Sequence, residues 1–485
     1  MIRNFIFLLF FSISLLACES TKTSTTTDPP PNIVFIFADD MGYGDVKCYN
    51  PDSKIATRNI DKLAEQGMRF TDAHAPAAVC VPSRYSLLTG QYPFLNDRKY
   101  QEGTIEPGRP TLASLLNEAG YQTACIGKWH QGIIDEKNPP PNTDLVGGPI
   151  DHGFDYFYGM PASLDIQPYY YIENKRPVAL PTDTIAPMEG TAPAEGKRKI
   201  QGPFYRGGKV APGFDHEKVL DKFGSKAMEY IQTAGQQKES PFFLYLALPA
   251  PHTPWLPAEK FKGQSGAGSY GDYVLQVDDL VGNVIKSLAD QGLEDNTLVI
   301  FTSDNGPVWY PENVTEYQHN SVVPLAGMKG DAWEGGHRLP FIARWPGNID
   351  AGTKNEKLIC FTDIFATFAD LTKVNLSSAY PRNSNSILPL LLDADHAATR
   401  SLFIMKSSRG VYAIRKGGWK LILAKGSGGF MDSYDKSLAE SNPYEGQLYN
   451  LTEDISETTN WYAEYPDKVA ELEKELEVLL EGGKQ

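Results

Sequence analysis

The chain has 485 residues and carries 60 acidic against 45 basic side chains, which gives a formal net charge of −15 at pH 7. This acidic balance excludes nucleic acid and anionic membrane surfaces as general partners, because attraction to a polyanion requires a basic surface. The length predicts one large α/β domain with a smaller one beside it. Five cysteines are too few for a disulfide framework.

The N-terminal segment has the pattern of an export signal. A basic residue, Arg3, precedes an apolar run that ends at Ala17, so residues 1–17 are predicted to be a signal peptide. The stretch Leu-Leu-Ala-Cys ending at Cys18 resembles a bacterial lipobox, which implies a lipid anchor on Cys18 and a polar tether over residues 18–31. An ordinary signal peptide with an incidental cysteine is the alternative. We therefore expect an exported lipoprotein of the bacterial cell envelope, in the periplasm or at the outer membrane and cell surface.

Four short apolar runs, each followed by polar residues, predict parallel strands of one central sheet. The runs and their polar followers are 32–37 before Asp39 and Asp40, 123–126 before Lys128 and His130, 242–246 before His252, and 298–301 before Asp304 and Asn305. Helical patterns over 111–119 and 274–288 alternate with these runs, which favours a doubly wound sheet. Ligands bind outside the carboxyl ends of the strands in such sheets, so the polar followers indicate the site.

The remaining chain differs in composition. Residues 135–213 are rich in proline, glycine and aromatics, and we predict long loops over the active edge there. Short strands at 410–414 and 419–423 and an amphipathic helix from Pro466 to Gly482 predict a C-terminal α+β subdomain. The predicted boundaries are 32–390 for the catalytic domain and 391–485 for the subdomain.

Two polar pairs at matched strand ends suggest a metal site. Asp39, Asp40, Asp304 and Asn305 offer the hard oxygen atoms that calcium or magnesium accepts. One Asp-Asp pair alone is usually a cap or a turn, but two pairs at the ends of neighbouring strands favour a divalent cation.

Residues 80–84 read Cys-Val-Pro-Ser-Arg and are followed by Leu-Thr-Gly at 88–90. Pro82 suits the first turn of a helix, so Cys80 would stand at a helix N-terminus, where free N–H groups attract anions, with Arg84 one turn further on. An isolated cysteine would be read as a buried thiol. The complete pattern, however, resembles the maturation signature of type I sulfatases.

Further stretches carry the same resemblance from Asn32 to about Gly347. They are Gly-Lys-Trp-His at 127–130, Pro-His-Thr-Pro-Trp at 251–255, Gly-Met-Lys-Gly at 327–330 and Trp-Glu-Gly-Gly at 333–336. The resemblance implies an alkaline-phosphatase-like, doubly wound mixed sheet. It also implies that a separate maturation enzyme converts Cys80 to 3-oxoalanine (formylglycine), and that one calcium ion is bound by Asp39, Asp40, Asp304, Asn305 and the modified Cys80.

The resemblance implies a role for each residue that matches the family's stretches. Asp304 takes a proton from the attacking hydroxyl, and His252 protonates the leaving alcohol. Lys128, Lys329 and Arg84 stabilise charge on the sulfuryl oxygens, while His130 helps the second hydroxyl to expel sulfate. The residues expected to be structural are His74, His319 and His337 as hydrogen-bonded histidines, Cys48, Cys125 and Cys360 as buried thiols, and Gln131 as a packing residue in place of a common leucine.

The function predicted from the resemblance is removal of sulfate from a sulfated carbohydrate, such as ulvan, carrageenan or a glycosaminoglycan. One alternative is a phosphomonoester or phosphodiester hydrolase of the alkaline phosphatase superfamily, which more often holds two metals with extra histidine ligands. A second alternative is an inactive lipoprotein that binds sulfated glycans.

Overall fold

The computed structural model describes residues 30–95, 104–191, 200–237, 240–376 and 383–482. The predicted signal peptide and Cys18 lie outside these residues. The strands are, in chain order, β1 (Asn32–Asp39), β2 (Met68–His74), β3 (Gln122–Lys128), β4 (Tyr156–Met160), β5 (Ile172–Glu173), β6 (Arg176–Pro177), β7 (Asp183–Ile185), β8 (Gly208–Val210), β9 (Phe242–Pro251), β10 (Thr297–Ser303), β11 (Arg338–Arg344), β12 (Thr353–Asn355), β13 (Ile359–Cys360), β14 (Leu402–Lys406), β15 (Tyr412–Lys416), β16 (Trp419–Ile422) and β17 (Gln447–Asn450).

The helices alternate with the strands over much of the chain. They are α1 (Arg58–Glu65), α2 (Cys80–Thr89), α3 (Leu112–Glu118), α4 (Val219–Gln237), α5 (Gly268–Asp290), α6 (Pro311–Tyr317), α7 (Asp363–Thr372), α8 (Leu388–Leu392), α9 (Phe430–Tyr434), α10 (Ser437–Glu440) and α11 (Pro466–Gly482). Within the described part of the chain, no helix is long and apolar enough to span a membrane.

The main sheet is mixed and runs in the order β12-β2-β11-β10-β1-β9-β3-β4-β5-β6, with β13 also paired to β2. The five strands from β10 to β4 are parallel, whereas β11 is antiparallel to β10 and to β2. Every residue of β1 is buried, because apolar side chains cover both faces of the sheet. The predicted doubly wound mixed α/β sheet is confirmed.

Helices bury one face each against this sheet. In α5, Val274, Val277, Val281 and Leu288 are fully buried and pack with α4 on one side. On the other side, α3 packs beside α7. The helical spacing read from the sequence therefore identifies the face of α5 that enters the core.

The prediction of long loops over 135–213 is wrong for part of that region. Strand β4 adds a further parallel strand beside β3, β5 and β6 complete the sheet edge, and β7 pairs with β8 in a separate hairpin. These strands have two to five residues, so they are too short to show periodicity. Pairing with neighbours, rather than local pattern, stabilises them.

The C-terminal part forms the expected small α+β unit. Strands β14 to β17 make an antiparallel four-stranded sheet. Val469, Leu472 and Leu476 of α11 are buried against it, with Leu479 and Leu480 partly buried beside them. The helix therefore covers one face of the small sheet.

Candidate active site

Side chains from four strand ends meet at one edge of the main sheet. Asp39 is the last residue of β1 and Lys128 the last of β3. Asp304 follows β10 directly, and His252 follows β9 directly. Because these four strands are parallel neighbours, their carboxyl ends open to the same place.

Three buried carboxylates are paired with three buried cations. Lys128 Nζ donates to Asp39 Oδ2 at 2.6 Å, and Lys329 Nζ donates to Asp40 Oδ1 at 2.6 Å. Arg84 donates to Asp304 Oδ2 from Nη2 at 2.8 Å and from Nε at 3.0 Å. All six side chains are buried, so each charge requires its partner.

The Arg84 side chain is tied to Asp304 and to the end of β3. Its side chain is fully buried, its Nε and Nη2 bind Asp304, and its Nη1 donates to the main-chain oxygen of Lys128 at 3.4 Å. These contacts occupy the three guanidinium nitrogens. Arg84 therefore orients Asp304 and the end of β3.

Burial and neighbouring charges shift the pKa values of these groups in opposite directions. Burial alone raises the pKa of Asp39, but Lys128 beside it holds that pKa well below its usual range. Burial and the charge of Asp39 raise the pKa of Asp304 to about 6. Burial, reinforced by Lys128, lowers the pKa of His130 well below its usual value, so this imidazole is neutral.

Cys80 stands at the first position of α2, as the sequence predicts. Ser83 Oγ donates to the main-chain oxygen of Asp304 at 2.5 Å, which ties the start of the helix to the end of β10. The Cys80 Sγ atom lies 3.5 Å from His130 Nδ1. Burial raises the pKa of the Cys80 thiol, even though nearby Lys128 lowers it.

The oxygen donors at this edge fit a divalent cation. Asp39 Oδ1 and Asn305 Oδ1 are buried and have no hydrogen-bond partner among the described residues. Asn305 Nδ2 donates to Asp40 Oδ1 at 2.7 Å. This hydrogen bond fixes the amide group and leaves the Asn305 Oδ1 atom as a free acceptor. Atoms of Asp39, Asp40 and His252 lie within 4.8 Å of one another. Unsatisfied buried oxygens are costly, and a hard cation would satisfy them.

His252 presents one ring nitrogen to the same place. Its Nδ1 lies 2.8 Å from the main-chain oxygen of Thr253, so Nδ1 carries the proton that it donates there. Its Nε2 then lies 3.7 Å from Asp40 Oδ2. The imidazole is therefore held with Nε2 at the reacting edge.

A cavity of about 180 Å³ opens at this edge. The sequence prediction includes three of its lining residues: Asp40, His252 and Lys329. Three more belong to the stretch at 251–255 that carried the resemblance, although no role was predicted for them: Pro251, Thr253 and Trp255. The sequence prediction missed the other lining residues: Asp165, Ile200, Phe204, Arg206, Tyr270, Val308 and Phe430. The aromatic composition of 135–213 is the one signal that could have indicated some of them, and no local pattern indicates Phe430.

The histidines expected to be structural lie away from this cavity. His319 Nε2 lies 2.9 Å from Asp45 Oδ1. The Nδ1 atoms of His74 and His337 lie 3.0 Å apart in a buried polar network. Gln131 does more than pack, because its Nε2 donates to the main-chain oxygen of Val81, next to Cys80, at 2.7 Å.

The three remaining thiols are free. Cys125 and Cys360 are buried as predicted, whereas Cys48 is half-buried, so the prediction of a buried thiol is wrong for Cys48. It lies in the connection between β1 and α1, at the margin of the core on that face of the sheet. Burial and the charge of Asp61 nevertheless raise the pKa of its thiol to about 12, so it is unreactive near neutral pH.

Comparison with known proteins identifies the family. The family model described as Sulfatase matches residues 31–374. An N-acetylgalactosamine-6-O-sulfatase of Bacteroides thetaiotaomicron is 35% identical over 94% of this chain and 94% of its own length. Human arylsulfatase A is 34% identical over 89% of this chain and 83% of its own.

Solved structures agree with this assignment. A Bacteroides thetaiotaomicron structure, described with the metabolism of multiple glycosaminoglycans, has a TM-score of 0.80 at 34% identity and covers 93% of this chain and 100% of its own. A Pseudoalteromonas sulfatase has the same fold, with a TM-score of 0.70 at 24% identity over 94% of this chain and 91% of its own. The chain belongs to the sulfatase family and is an enzyme that hydrolyses sulfate esters.

Proposed function

We propose that this enzyme removes the 6-O-sulfate of N-acetylgalactosamine units in a glycosaminoglycan. The observation that carries this proposal is the match to an N-acetylgalactosamine-6-O-sulfatase over 94% of both chains. The solved structure described with glycosaminoglycan metabolism supports the same substrate class. A solved structure in complex with a neocarrahexaose is only 24% identical to this chain, so it supports the fold and not the carrageenan alternative.

Conversion of Cys80 to formylglycine would provide the nucleophile. Formylglycine would supply a hydrated aldehyde with two hydroxyls on one carbon, one for attack on sulfur and a second whose deprotonation allows sulfate to leave and restores the aldehyde. Burial raises the pKa of the Cys80 thiol, so the thiol itself is protonated near neutral pH and weakly reactive. Asp304 would accept a proton from the attacking hydroxyl, because Ser83 ties its main chain to the start of the helix that carries residue 80.

Asp39, Asp40, Asp304 and Asn305 would hold one calcium ion, with the modified residue 80 beside them. When bound, the ion supplies Lewis-acid polarisation of a sulfate oxygen. Lys128 and Lys329 keep positive charge within the buried site, because each is fixed on a carboxylate at 2.6 Å. That charge stabilises negative charge on the sulfuryl group without reorganisation of the site.

Two histidines would move protons. His252 donates its Nδ1 proton to the Thr253 main-chain oxygen, so only the doubly protonated ring would have a second proton on Nε2 to give to the leaving alcohol, and the ring would be neutral afterwards. The neutral His130, 3.5 Å from the Cys80 sulfur, can accept a proton from residue 80 when sulfate is released.

The test is turnover of defined sulfated sugars by protein expressed with and without a formylglycine-generating enzyme. We expect desulfation of N-acetylgalactosamine 6-sulfate by the matured protein only, with formylglycine at position 80 by peptide mass spectrometry and an unmodified thiol at Cys48 as internal control. Metal analysis should find one calcium ion per chain. Full activity with an unmodified Cys80, or hydrolysis of phosphate esters in preference with a bound zinc pair, would contradict the proposal.

We also propose that the protein is exported and anchored through a lipid on Cys18. Support comes from the apolar run up to Ala17 and the lipobox-like stretch that ends at Cys18. An anchor of this kind would keep the enzyme in the cell envelope, where polymeric substrates arrive.

A further inference from the structure

One wall of the cavity is formed by a charged pair that takes no part in the reacting centre. Asp165 and Arg206 line the cavity together with His252 and Lys329. Arg206 Nη1 forms an ion pair with Asp165 Oδ2 and donates to the main-chain oxygen of Asp165 at 3.2 Å. The main-chain N–H of Arg206 donates to the same oxygen at 3.1 Å. The two residues are therefore fixed to each other by backbone and side chain.

Both residues of the pair have polar side-chain atoms without a hydrogen bond among the described residues. Asp165 is 6% exposed, and its Oδ1 has no partner among the described residues. The side chain of Arg206 is 53% exposed, and Nη1 is the one guanidinium nitrogen with a hydrogen bond in the described part of the chain. Its Nε and Nη2 thus remain as donors, and its guanidinium carbon lies 5.6 Å from the centre of the Phe204 ring.

This combination suits the ring of a sugar. A hydroxyl group both donates and accepts, so two neighbouring hydroxyls can donate to a carboxylate while they accept from an adjacent guanidinium. Phe204 and Phe430 add apolar surface in the same cavity, which suits the C–H face of a sugar ring. The volume of about 180 Å³ lies below the range of about 300–1,000 Å³ for larger ligands, so it suits a single sugar ring.

We propose that Asp165 and Arg206 form a recognition subsite for two vicinal ring hydroxyls of the sulfated sugar, and thereby favour carbohydrate sulfates over aryl sulfates. The inference rests on the proposed function, because it concerns the sugar whose sulfate lies at His252. In N-acetylgalactosamine 6-sulfate, the hydroxyls at C3 and C4 are the vicinal pair.

The first experiment compares kcat/KM of the matured enzyme on N-acetylgalactosamine 6-sulfate and on 4-nitrophenyl sulfate, which has no hydroxyl pair. Arg206→Ala should lower kcat/KM for the sugar by about 10- to 100-fold, the range for hydrogen bonds to a charged group. The loss on the aryl sulfate should be at least about tenfold smaller. Asp165→Asn, which keeps the shape of the side chain, should show the same selective loss.

Arg176→Ala is the matched control. Arg176 pairs with Asp144 at 2.7 Å in the same region of the chain, but both side chains are more than half exposed and neither lines the cavity. This variant should retain the wild-type ratio of sugar to aryl activity. A loss equal to that of Arg206→Ala would overturn the proposal, because any surface ion pair of the region would then have the same effect.

A second experiment uses the 3-deoxy and 4-deoxy analogues of the sugar sulfate. Removal of either hydroxyl should cost the wild-type enzyme about tenfold or more and cost Arg206→Ala less than about threefold, because the partner is already absent. Equal costs in both proteins, or equal losses on sugar and aryl sulfate, would overturn the subsite while leaving the sulfatase assignment intact. Failure of the matured wild-type enzyme to act on any sulfated sugar would instead overturn the proposed function.

Discussion

Charged residues of the active site are buried beside other charges, and these neighbours set their pKa values. Asp39 and Asp304 lie in the same buried cluster, yet Lys128 keeps the pKa of Asp39 well below its usual range while burial and Asp39 raise that of Asp304 to about 6. Two carboxylates with separated pKa values are the usual arrangement for distinct roles in acid and base chemistry. A divalent cation bound among them would favour the ionised form of Asp304.

His252→Ala should affect substrates according to their leaving groups. Hydrolysis of a sugar sulfate should slow by roughly 10²–10⁴-fold, the usual range for positioned proton transfer, because a sugar alkoxide is a poor leaving group. Hydrolysis of 4-nitrophenyl sulfate should slow much less, because nitrophenolate departs without a proton. The measurement is kcat and kcat/KM over a series of aryl sulfates and the sugar.

The slope of rate against leaving-group pKa separates the possible roles of His252. It should become steeper in His252→Ala than in the wild type if the imidazole is the proton donor. Equal losses across the series would instead assign His252 to sulfate binding.

Site residues could be predicted from the sequence where a residue type suited to the chemistry follows a recognisable strand or lies in a recognisable motif. Asp39 and Asp304 follow continuous apolar runs, and Cys80 lies in a fixed pentapeptide, so both position and type were visible. Asp165 reaches the cavity from the connection between β4 and β5, and Phe430 reaches it from the start of α9, far away in the sequence. Their placement depends on tertiary packing, for which a single sequence gives no local signal.

At the scale of elements, the close approach of β3 and β9 sets the position of Lys128. Gly127 has φ of +118°, and a Cβ atom there would lie 1.8 Å from the main-chain oxygen of Ala247 in β9. The absent side chain allows β3 to pair with β9 up to Gly127, the residue before Lys128. Lys128 then reaches Asp39 from the adjacent position.

Gly127→Ala should therefore be strongly destabilising. The added methyl group would clash with the main chain of β9, which cannot move aside as a flexible side chain can. We therefore expect a loss of about 3 kcal/mol or more in unfolding free energy. Gly120→Ala is the matched control, because Gly120 precedes the same strand with φ of +85° and has nothing within 4 Å of its Cβ position. It should cost only about 1 kcal/mol from backbone conformation.

Urea unfolding of both variants measures the difference. Comparable losses in the two would mean that backbone conformation alone, and not the approach of β9, requires glycine at position 127.

Elements were predictable where burial is continuous. β1, β9 and β10 are buried along their whole length, so uninterrupted apolar runs reveal them. Strands β5 and β6 have two residues each and are stabilised by pairing with neighbouring strands. The sequence pattern cannot show an element whose stability comes from elsewhere in the chain.

At the scale of the whole molecule, a buried ionic network joins the main sheet to the C-terminal sheet. Lys420 of β16 donates to Glu334 Oε1 at 2.9 Å and lies 2.8 Å from Glu457 Oε1. Arg415 of β15 binds Asp72 of β2 at 2.6 Å. These side chains are buried. The two cations of the C-terminal sheet and the carboxylates that they contact therefore neutralise each other.

Lys420→Met should destabilise the protein by roughly 3–5 kcal/mol, because two buried carboxylates would lose their shared cation. Lys416→Ala is the control from the same sheet. Lys416 pairs with Glu471 and Glu475 of α11, but its side chain is 41% exposed. Water can replace that pairing, so its loss should change the midpoint of urea unfolding little.

The pH dependence of the Lys420→Met effect follows from the acidities of the two glutamates. Burial alone raises the pKa of Glu334, but Lys420 holds it well below its usual value, so in the wild type this pair contributes stability above about pH 4.5 and loses it as the pH falls. Burial already raises the pKa of Glu457, which shares Lys420, to about 7 in the wild type, and loss of the lysine would raise it further. The folded variant then binds more protons than its unfolded chain and gains stability as the pH falls through the raised pKa. The difference in unfolding free energy between wild type and variant should therefore shrink from about pH 8 to about pH 5.5, and a difference that stays constant would show that Lys420 contributes packing rather than charge.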